Sequence, residues 1–406
     1  MGKQDANLLT TVDLGSAKTC VLVGDVAGGL LRYAGHGAAE SRGSRKGAIV
    51  DLDKAVASVQ RAVEEAEAAS GRSVESAWVG VAGAHIRGVN SRGGIALGNR
   101  PREISRDDVR DAVDKARAIA LPPDRQVLHI LPQEFIVDDE AGIRDPLGMI
   151  GSRLAVQVHL VTASSSAVQN VVTVLNRAGL EVEDVVYEPL AAADAVLKPD
   201  ERELGVALVD LGAGSADVVT YCEGTVSHSG VVPVGGDHFT SDVSVGLRTP
   251  LYDAEKVKRL FGCAIAERIP DANEIEVPTV GDRGSRMMPQ RLLADILEPR
   301  GVELMEMLAD ALDKARVLEL CGAGVVLTGG AARLNGLVEQ CERILKRPAR
   351  LGAPAPIVGM PAALAEPEYA ALVGMALYAH RSRLARRPPE RGIVSKLKSL
   401  FAKTAD

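Results

Sequence analysis

The chain has 406 residues and a net charge of −7; 46% of its residues are hydrophobic, 25% charged and only 3% aromatic. That length admits two to three domains with a real core, built from Val, Ala and Leu in α/β layers rather than from aromatics. The acidic balance excludes a general nucleic-acid binder, and five scattered cysteines without C-x-x-C spacing argue against a disulfide frame or zinc site and for a reducing compartment.

In chain order, residues 1–9 carry no apolar signal region, and no apolar run approaches ~18 residues. A cytoplasmic protein that does not span a membrane is expected. Residues 10–25 read T-T-V-D-L-G-S-A-K-T-C-V-L-V-G-D, a strand, a tight turn and a returning strand. Residues 51–71 follow as a helix with Val56, Val59, Val63 and Ala66 at helical spacing and Gly71 as its stop. A short strand at 78–83 ends in glycine. From about residue 84 to 161 the character changes. Ser105 caps a helix expected to run to Pro122 and Pro123, and two strands follow at 126–137 and 154–161. This reads as an inserted α+β subdomain, because the helix–strand rhythm resumes only at about Thr162.

A helix at 167–177 stops at Gly179, and a strand at 182–187 runs into Glu188-Pro189-Leu190-Ala191-Ala192-Ala193. Proline in a first turn followed by alanines favours a helix there. Glu188, at the strand-to-helix junction, is either a solvated loop acid or a group that orients water toward a γ-phosphate. Residues 206–219 read V-A-L-V-D-L-G-A-G-S-A-D-V-V. Asp210, Gly212, Gly214 and Ser215 form a turn of little bulk, where backbone N–H groups can converge on an anion while a carboxylate holds a hydrated cation. Alone it could be an ordinary Gly-rich hairpin. It occurs twice, however: at an offset of 197 residues Asp13-Leu14-Gly15 falls on Asp210-Leu211-Gly212, and the apolar returns coincide. A repeated phosphate turn half a chain apart points to a duplicated core with nucleotide held between its halves.

Gly235 and Gly236 approach the next helix. A helix at 253–260 places Glu255 and Lys258 on one face, where a surface ion pair is the plain alternative to a ligand role. Residues 263–289 read as loop and strand, a small second insertion. A helix at 291–315 is expected to pack Leu292, Leu293, Ile296 and Leu297 on one side. Residues 324–335 give a buried strand, then Gly329 and Gly330, then a helix start that would let adenosine approach the backbone. Residues 348–367 hold five of the twenty prolines and read as irregular. A helix at 369–385 closes the first half, and an Arg-rich stretch follows as a linker. In residues 392–403, Ile393, Val394, Leu397, Leu400 and Phe401 fall within an arc of about 120° bordered by Lys396, Lys398 and Lys403. That pattern suits an in-plane membrane helix on an anionic surface, or else a helix docked on the body or a partner.

The two D-x-G turns, E-P-L-A-A-A and L-T-G-G-A-A-R-L-N-G-L resemble the actin, heat-shock-chaperone and sugar-kinase ATPase superfamily. D-L-G-S-A-K, S-R-G-S-R-K-G, V-L-H-I-L-P-Q-E-F, V-H-L-V-T, E-R-E-L-G-V and I-L-E-P-R, with the insertion and the tail, resemble the FtsA family of bacterial cell-division proteins nearly end to end. The resemblance implies an α/β, actin-like duplicated ATPase fold. Its two lobes (1–83 with 162–203 and 350–385; 204–236 with 320–349) flank a nucleotide cleft. It also implies the inserted subdomain at 84–161, a second-lobe insertion at 237–319, a basic linker at 386–391 and an amphipathic tail at 392–406. Expected ligands are ATP and Mg²⁺, with at most weak ATPase activity. Asp13 and Asp210 would position metal and water, with Glu188 as the third catalytic candidate. Gly15, Ser16, Lys18, Gly212, Gly214 and Ser215 would hold phosphates, with Gly235, Gly236, Glu255, Lys258, Gly329, Gly330 and Ala331 around the nucleotide. Implied partners are the C-terminal tail of FtsZ at the second-lobe insertion (Arg291 and Arg300 facing its acids), other copies of the chain in a polymer, and further division proteins at the inserted subdomain. The implied location is peripheral, on the cytoplasmic face of the cell membrane at the division site. Ala213, where the family has glycine, is expected to restrict the second turn. A chaperone would need a substrate domain after the core, a kinase a catalytic acid beside a sugar site, and a pilus-assembly scaffold would not need the lysine-flanked tail.

Overall fold

The computed structural model describes residues 7–281 and 284–386. The tail residues Ile393, Val394, Lys396, Leu397, Lys398, Leu400, Phe401 and Lys403 lie outside the described residues, as does nearly all of the basic linker.

Two five-stranded sheets share one plan. The first runs, edge to edge, Glu181–Tyr187, Ser76–Val81, Leu8–Leu14, Lys18–Ala27 and Leu30–Glu40; the second runs Ala349–Leu351, Gly324–Thr328, Val206–Leu211, Ala216–Cys222 and Thr225–Val232. In each, three antiparallel strands from consecutive hairpins are extended by two parallel strands that need helical crossovers. Even the register repeats: Asp13 faces Cys20 and Asp210 faces Asp217. The sequence duplication is thus a structural one.

Strand periodicity tells which way the acids point. In Val206–Leu211, Val206 and Leu208 pack in the core shared with the first lobe, whereas Ala207, Val209 and Leu211 pack in the second lobe's own core. In Ala216–Cys222, Val219 and Tyr221 join the first core, and Ala216 and Val218 the second. With a side-chain period of two, Asp210 and Asp217 fall on the first-lobe face of both strands.

Helix Leu52–Ser70 starts at Asp51, whose carboxylate accepts the Lys54 N–H, and stops at left-handed Gly71. Helix Ala370–Arg386 returns to the first lobe and buries Leu372, Val373, Met375, Ala376 and Ala379. Its larger apolar side chains contribute about 1.5–3 kcal/mol each. It lies so close to the alanine-rich helix Glu188–Val196 that a Cβ on Gly374 would stand 2.0 Å from the Ala191 carbonyl oxygen.

The insertion is a four-stranded sheet ordered Glu140–Ile143, Arg125–Val137, Arg153–Ser164 and Arg87–Ala96, with helix Arg106–Arg117 on it and a core of its own. A Ser105–Asp108 capping box starts that helix. The helix ends at Arg117 rather than reaching Pro122, because Ala118 already closes it with bonds to Asp114 and Lys115. His159 ties the insertion to the second lobe, its ring between Asn90 Oδ1 (2.6 Å) and Ser229 Oγ (2.8 Å).

Two further expectations change. Residues 348–367 are not wholly irregular, since Ala349–Leu351 pairs in parallel with Gly324–Thr328. On helix Gln290–Lys314, Leu293 and Leu297 are buried but Leu292 is exposed, one position off the stripe. Among the described residues, no helix is long and apolar enough to cross a membrane.

Candidate functional site

The two hairpin turns face each other across a cleft of about 1140 Å³. Its floor is glycine and its walls carry carboxylates. A Cβ on Gly329, whose φ is +85°, would sit 2.4 Å from Asp210 Oδ1 and 2.6 Å from the Leu211 carbonyl oxygen. A Cβ on Gly235 would lie 2.6 Å from both Ala213 O and Ser215 N. Gly80 makes room for Glu188 in the same way, 2.6 Å from its Cγ and Oε1. Only glycine fits these approaches. Gly330, by contrast, meets nothing nearer than 3.6 Å, so space does not require glycine there.

The second turn is tied down by its own backbone. Gly212 N–H donates to Ser215 O, Gly236 N–H to Gly212 O, and Asp237 N–H to Ala213 O. No residue from Gly212 to Ser215 has positive φ, so Ala213 takes the place of a glycine without strain. The expected restriction does not arise. In the first turn, Ser16 Oγ accepts the Gly47 N–H and Ser44 Oγ donates to Gly15 O.

Four carboxyls line the cleft between the turns. Burial pushes Asp13 up to about 6, even with Lys18 and the Gly15 N–H pulling it down. Burial, then Asp217 and Asp13, push Asp210 up to about 7. Burial also takes Asp217 up to about 6, against the Gly83 N–H (2.7 Å) and Ser215 hydroxyl (2.7 Å) that favour its ionised form. Glu188 is pushed well above the ordinary carboxylate range, by burial first and then by the other three acids. Buried like charges that repel in this way attract a hydrated divalent cation, and Mg²⁺ is typically held through one or two carboxylates plus phosphate oxygens. Among the described residues there is no cluster of three or more His, Cys, Asp or Glu side chains set to enclose a metal.

Asp217 is the residue that sequence reasoning missed. The offset that pairs Asp13 with Asp210 pairs Cys20 with Asp217, so the signal was present as an acid facing an acid across the hairpin. Ser215, expected on phosphate, spends its hydroxyl on Asp217. Glu255 and Lys258 are more than a surface pair: the Lys258 side chain is only 11% exposed, and its Nζ lies 2.6 Å from Glu255 and donates to Gly236 O and Thr240 Oγ1. Thr240 was not foreseen either. Gly236 and Ala331 sit together on that wall. Lys18 points into the cleft but is held by Glu368 at 3.0 Å, with the Tyr369 ring 3.4 Å below its nitrogen.

Arg291 and Arg300 are not brought together. Nine residues apart on one helix, they are half a turn out of phase. Arg291 pairs with Asp271, and Arg300 with Asp242 and Glu303.

Two duplicated sheets closing on a glycine-floored, carboxylate-walled cleft define an actin-like ATPase fold. Solved structures agree. The PilM–PilN type IV pilus biogenesis complex superposes with TM-score 0.65 at 18% identity, covering 92% of this chain and 98% of that one. MreB5 of Spiroplasma citri bound to ADP superposes with TM-score 0.57 at 12% identity, covering 94% and 100%. The family model for cell division protein FtsA matches residues 207–374, and that for the SHS2 domain inserted in FtsA matches residues 83–162. Cell division protein FtsA of Pseudomonas aeruginosa is 41% identical over 376 residues, 92% of this chain and 90% of that protein. That of Escherichia coli K12 is 35% identical over 388 residues, 94% and 92%. The chain belongs to the FtsA family of bacterial cell-division proteins.

Proposed function

We propose that the chain is an ATP-binding tether that self-assembles on the cytoplasmic face of the cell membrane and holds FtsZ polymers there. The observation that carries the nucleotide part is the pair of facing hairpins with four carboxyls between them, Asp217 buried and Asp13, Glu188 and Asp210 partly buried. Asp13 and Asp210 would hold Mg²⁺, which when bound neutralises phosphate charge. The turns at Gly15–Ser16 and Gly212–Gly214, with Lys18, would cradle the phosphates. Gly235, Gly236, Thr240, Glu255, Lys258, Gly329, Gly330 and Ala331 would line the nucleoside end.

A structural cofactor fits better than a fast reaction. A base must be ionised to take a proton from water, and burial and then three neighbouring acids push Glu188 toward its neutral form. Family membership and the lysine-bordered apolar pattern at 392–403 support membrane attachment. One such segment binds marginally, so several copies in a polymer would bind firmly through effective concentration. FtsZ would dock on the second-lobe insertion at 237–319. Arg300 is held by two acids and is the less exposed, so Arg291, with its single surface pair to Asp271, is the better candidate for its acidic tail. Later division proteins would use the inserted subdomain.

The deciding experiment is ATP-dependent recruitment of FtsZ to anionic liposomes, comparing the full chain with a truncation after Arg391. The full chain should recruit FtsZ and the truncation should not. Equal recruitment by both would end the tether reading.

A further inference from the structure

Lys18 stands in the first hairpin, and Arg333 closes the short 3-10 turn Gly330–Arg333 of the second lobe. Glu368 lies between them, one carboxylate oxygen 3.0 Å from Lys18 Nζ and the other 3.0 Å from Arg333 Nη1. Its side chain and that of Lys18 are only 20% and 28% exposed, and all three residues line the cleft. The turn that presents Glu368 is fixed to the second lobe by its backbone: Pro367 O accepts the Gly329 N–H (3.1 Å) and the Thr328 hydroxyl (3.3 Å). Burial raises the Glu368 carboxyl, but the hydrogen bond from Lys18 and then Arg333 reverse this and leave it below its ordinary value. A carboxylate on the turn that crosses from the second lobe into helix Ala370–Arg386 therefore occupies the cation of the first hairpin, 350 residues away in the chain.

We propose that Glu368 is a built-in phosphate surrogate, a latch that engages Lys18 in the cleft until a polyphosphate takes its place. The inference rests on the nucleotide reading above. An ammonium with three donors can serve a carboxylate and phosphates only by dividing itself, and the carboxylate repels the incoming anion. Phosphate binding therefore draws Lys18 away from Glu368, which stays with Arg333. An uncharged nucleoside makes no claim on Lys18 and leaves the latch closed, so the latch lowers the affinity of phosphate-bearing ligands and narrows their advantage over the bare nucleoside.

The test is calorimetric titration of the full chain with adenosine, ADP and ATP in Mg²⁺, for wild type, Glu368→Gln, Glu368→Ala, Lys18→Gln and the Lys18→Gln/Glu368→Gln pair. Removing the competing charge should tighten ATP about fivefold, the upper end for a partly exposed ion pair, with less effect on ADP and none on adenosine. In the Lys18→Gln background the Glu368 substitution should tighten ATP much less, by no more than the direct repulsion it removes. Glu368→Ala, which cannot hydrogen-bond Lys18, should tighten ATP at least as much as Glu368→Gln. ATP bound no tighter by either variant, or adenosine shifted as far as ATP, overturns the latch while leaving the nucleotide reading in place. A wild-type chain that binds none of the three overturns both.

Discussion

Neutralising Asp210 should stabilise the ligand-free protein. Folding moves this carboxyl from the usual 3.8 to about 7, by burial and by repulsion from Asp217 and Asp13. A carboxyl whose folded value is raised takes stability away as pH climbs from its unfolded to its folded value, and the whole penalty stands above pH 7. For Asp210 alone that penalty is about 4 kcal/mol. Part of it is the same repulsion felt by Asp13 and Asp217, and Asn keeps the burial of a polar group, so about 2 kcal/mol is the gain expected for Asp210→Asn. In a chain of this size that raises Tm by about 2–4 °C. The measurement is scanning calorimetry in EDTA at pH 8 and pH 5. At pH 5 the folded carboxyl is already largely protonated, so the gap should fall below half its value at pH 8. In Mg²⁺–ATP the order should invert, because the variant loses a ligand to the metal. A variant that melts no higher than wild type at pH 8 in EDTA would refute the electrostatic account of the cluster.

Gly329→Ala places a Cβ 2.4 Å from Asp210 Oδ1 in a left-handed backbone, so a loss of about 2–3 kcal/mol in urea unfolding is expected, together with weakened nucleotide binding. His159→Ala removes the bridge from the insertion to the second lobe; with one buried hydroxyl left unpaired, a loss of about 1–3 kcal/mol is expected, and Ser229→Ala should cost less. His159 is held down to about 4, first by burial, so this contribution should stay flat between pH 6 and 8. Arg383→Ala frees Glu183, which also takes the indole N–H of Trp78. About 1 kcal/mol is expected for this partly exposed pair, and the chain's single tryptophan should report it as a change in emission.

The parts of the fold that repeat were the legible ones. Asp13 and Asp210 announced themselves by sharing a turn, and Glu188 by standing where a strand enters an alanine helix. What escaped was long-range. Nothing near Lys18 in sequence points to Glu368, and nothing near Arg300 points to Asp242; such pairs exist only once the lobes are assembled. Leu292 misled because adjacent leucines fit an apolar run while a helix buries only one side of it. The strand Ala349–Leu351 is too short to carry a period and is made by its neighbour. Asp217 was readable in principle from the hairpin register.

The return of helix Ala370–Arg386 to the first lobe has a consequence for synthesis. The second lobe, from Val206 to Leu351, is one uninterrupted stretch and can bury its own face while the ribosome is still translating. The first lobe began earlier but stays open along the sheet that Leu372, Val373, Met375 and Ala376 cover. Its core closes only when nearly the last described residues have left the exit tunnel. The lobe made first therefore finishes last, and the cleft is complete only once helix Ala370–Arg386, which follows it in the chain, has been made.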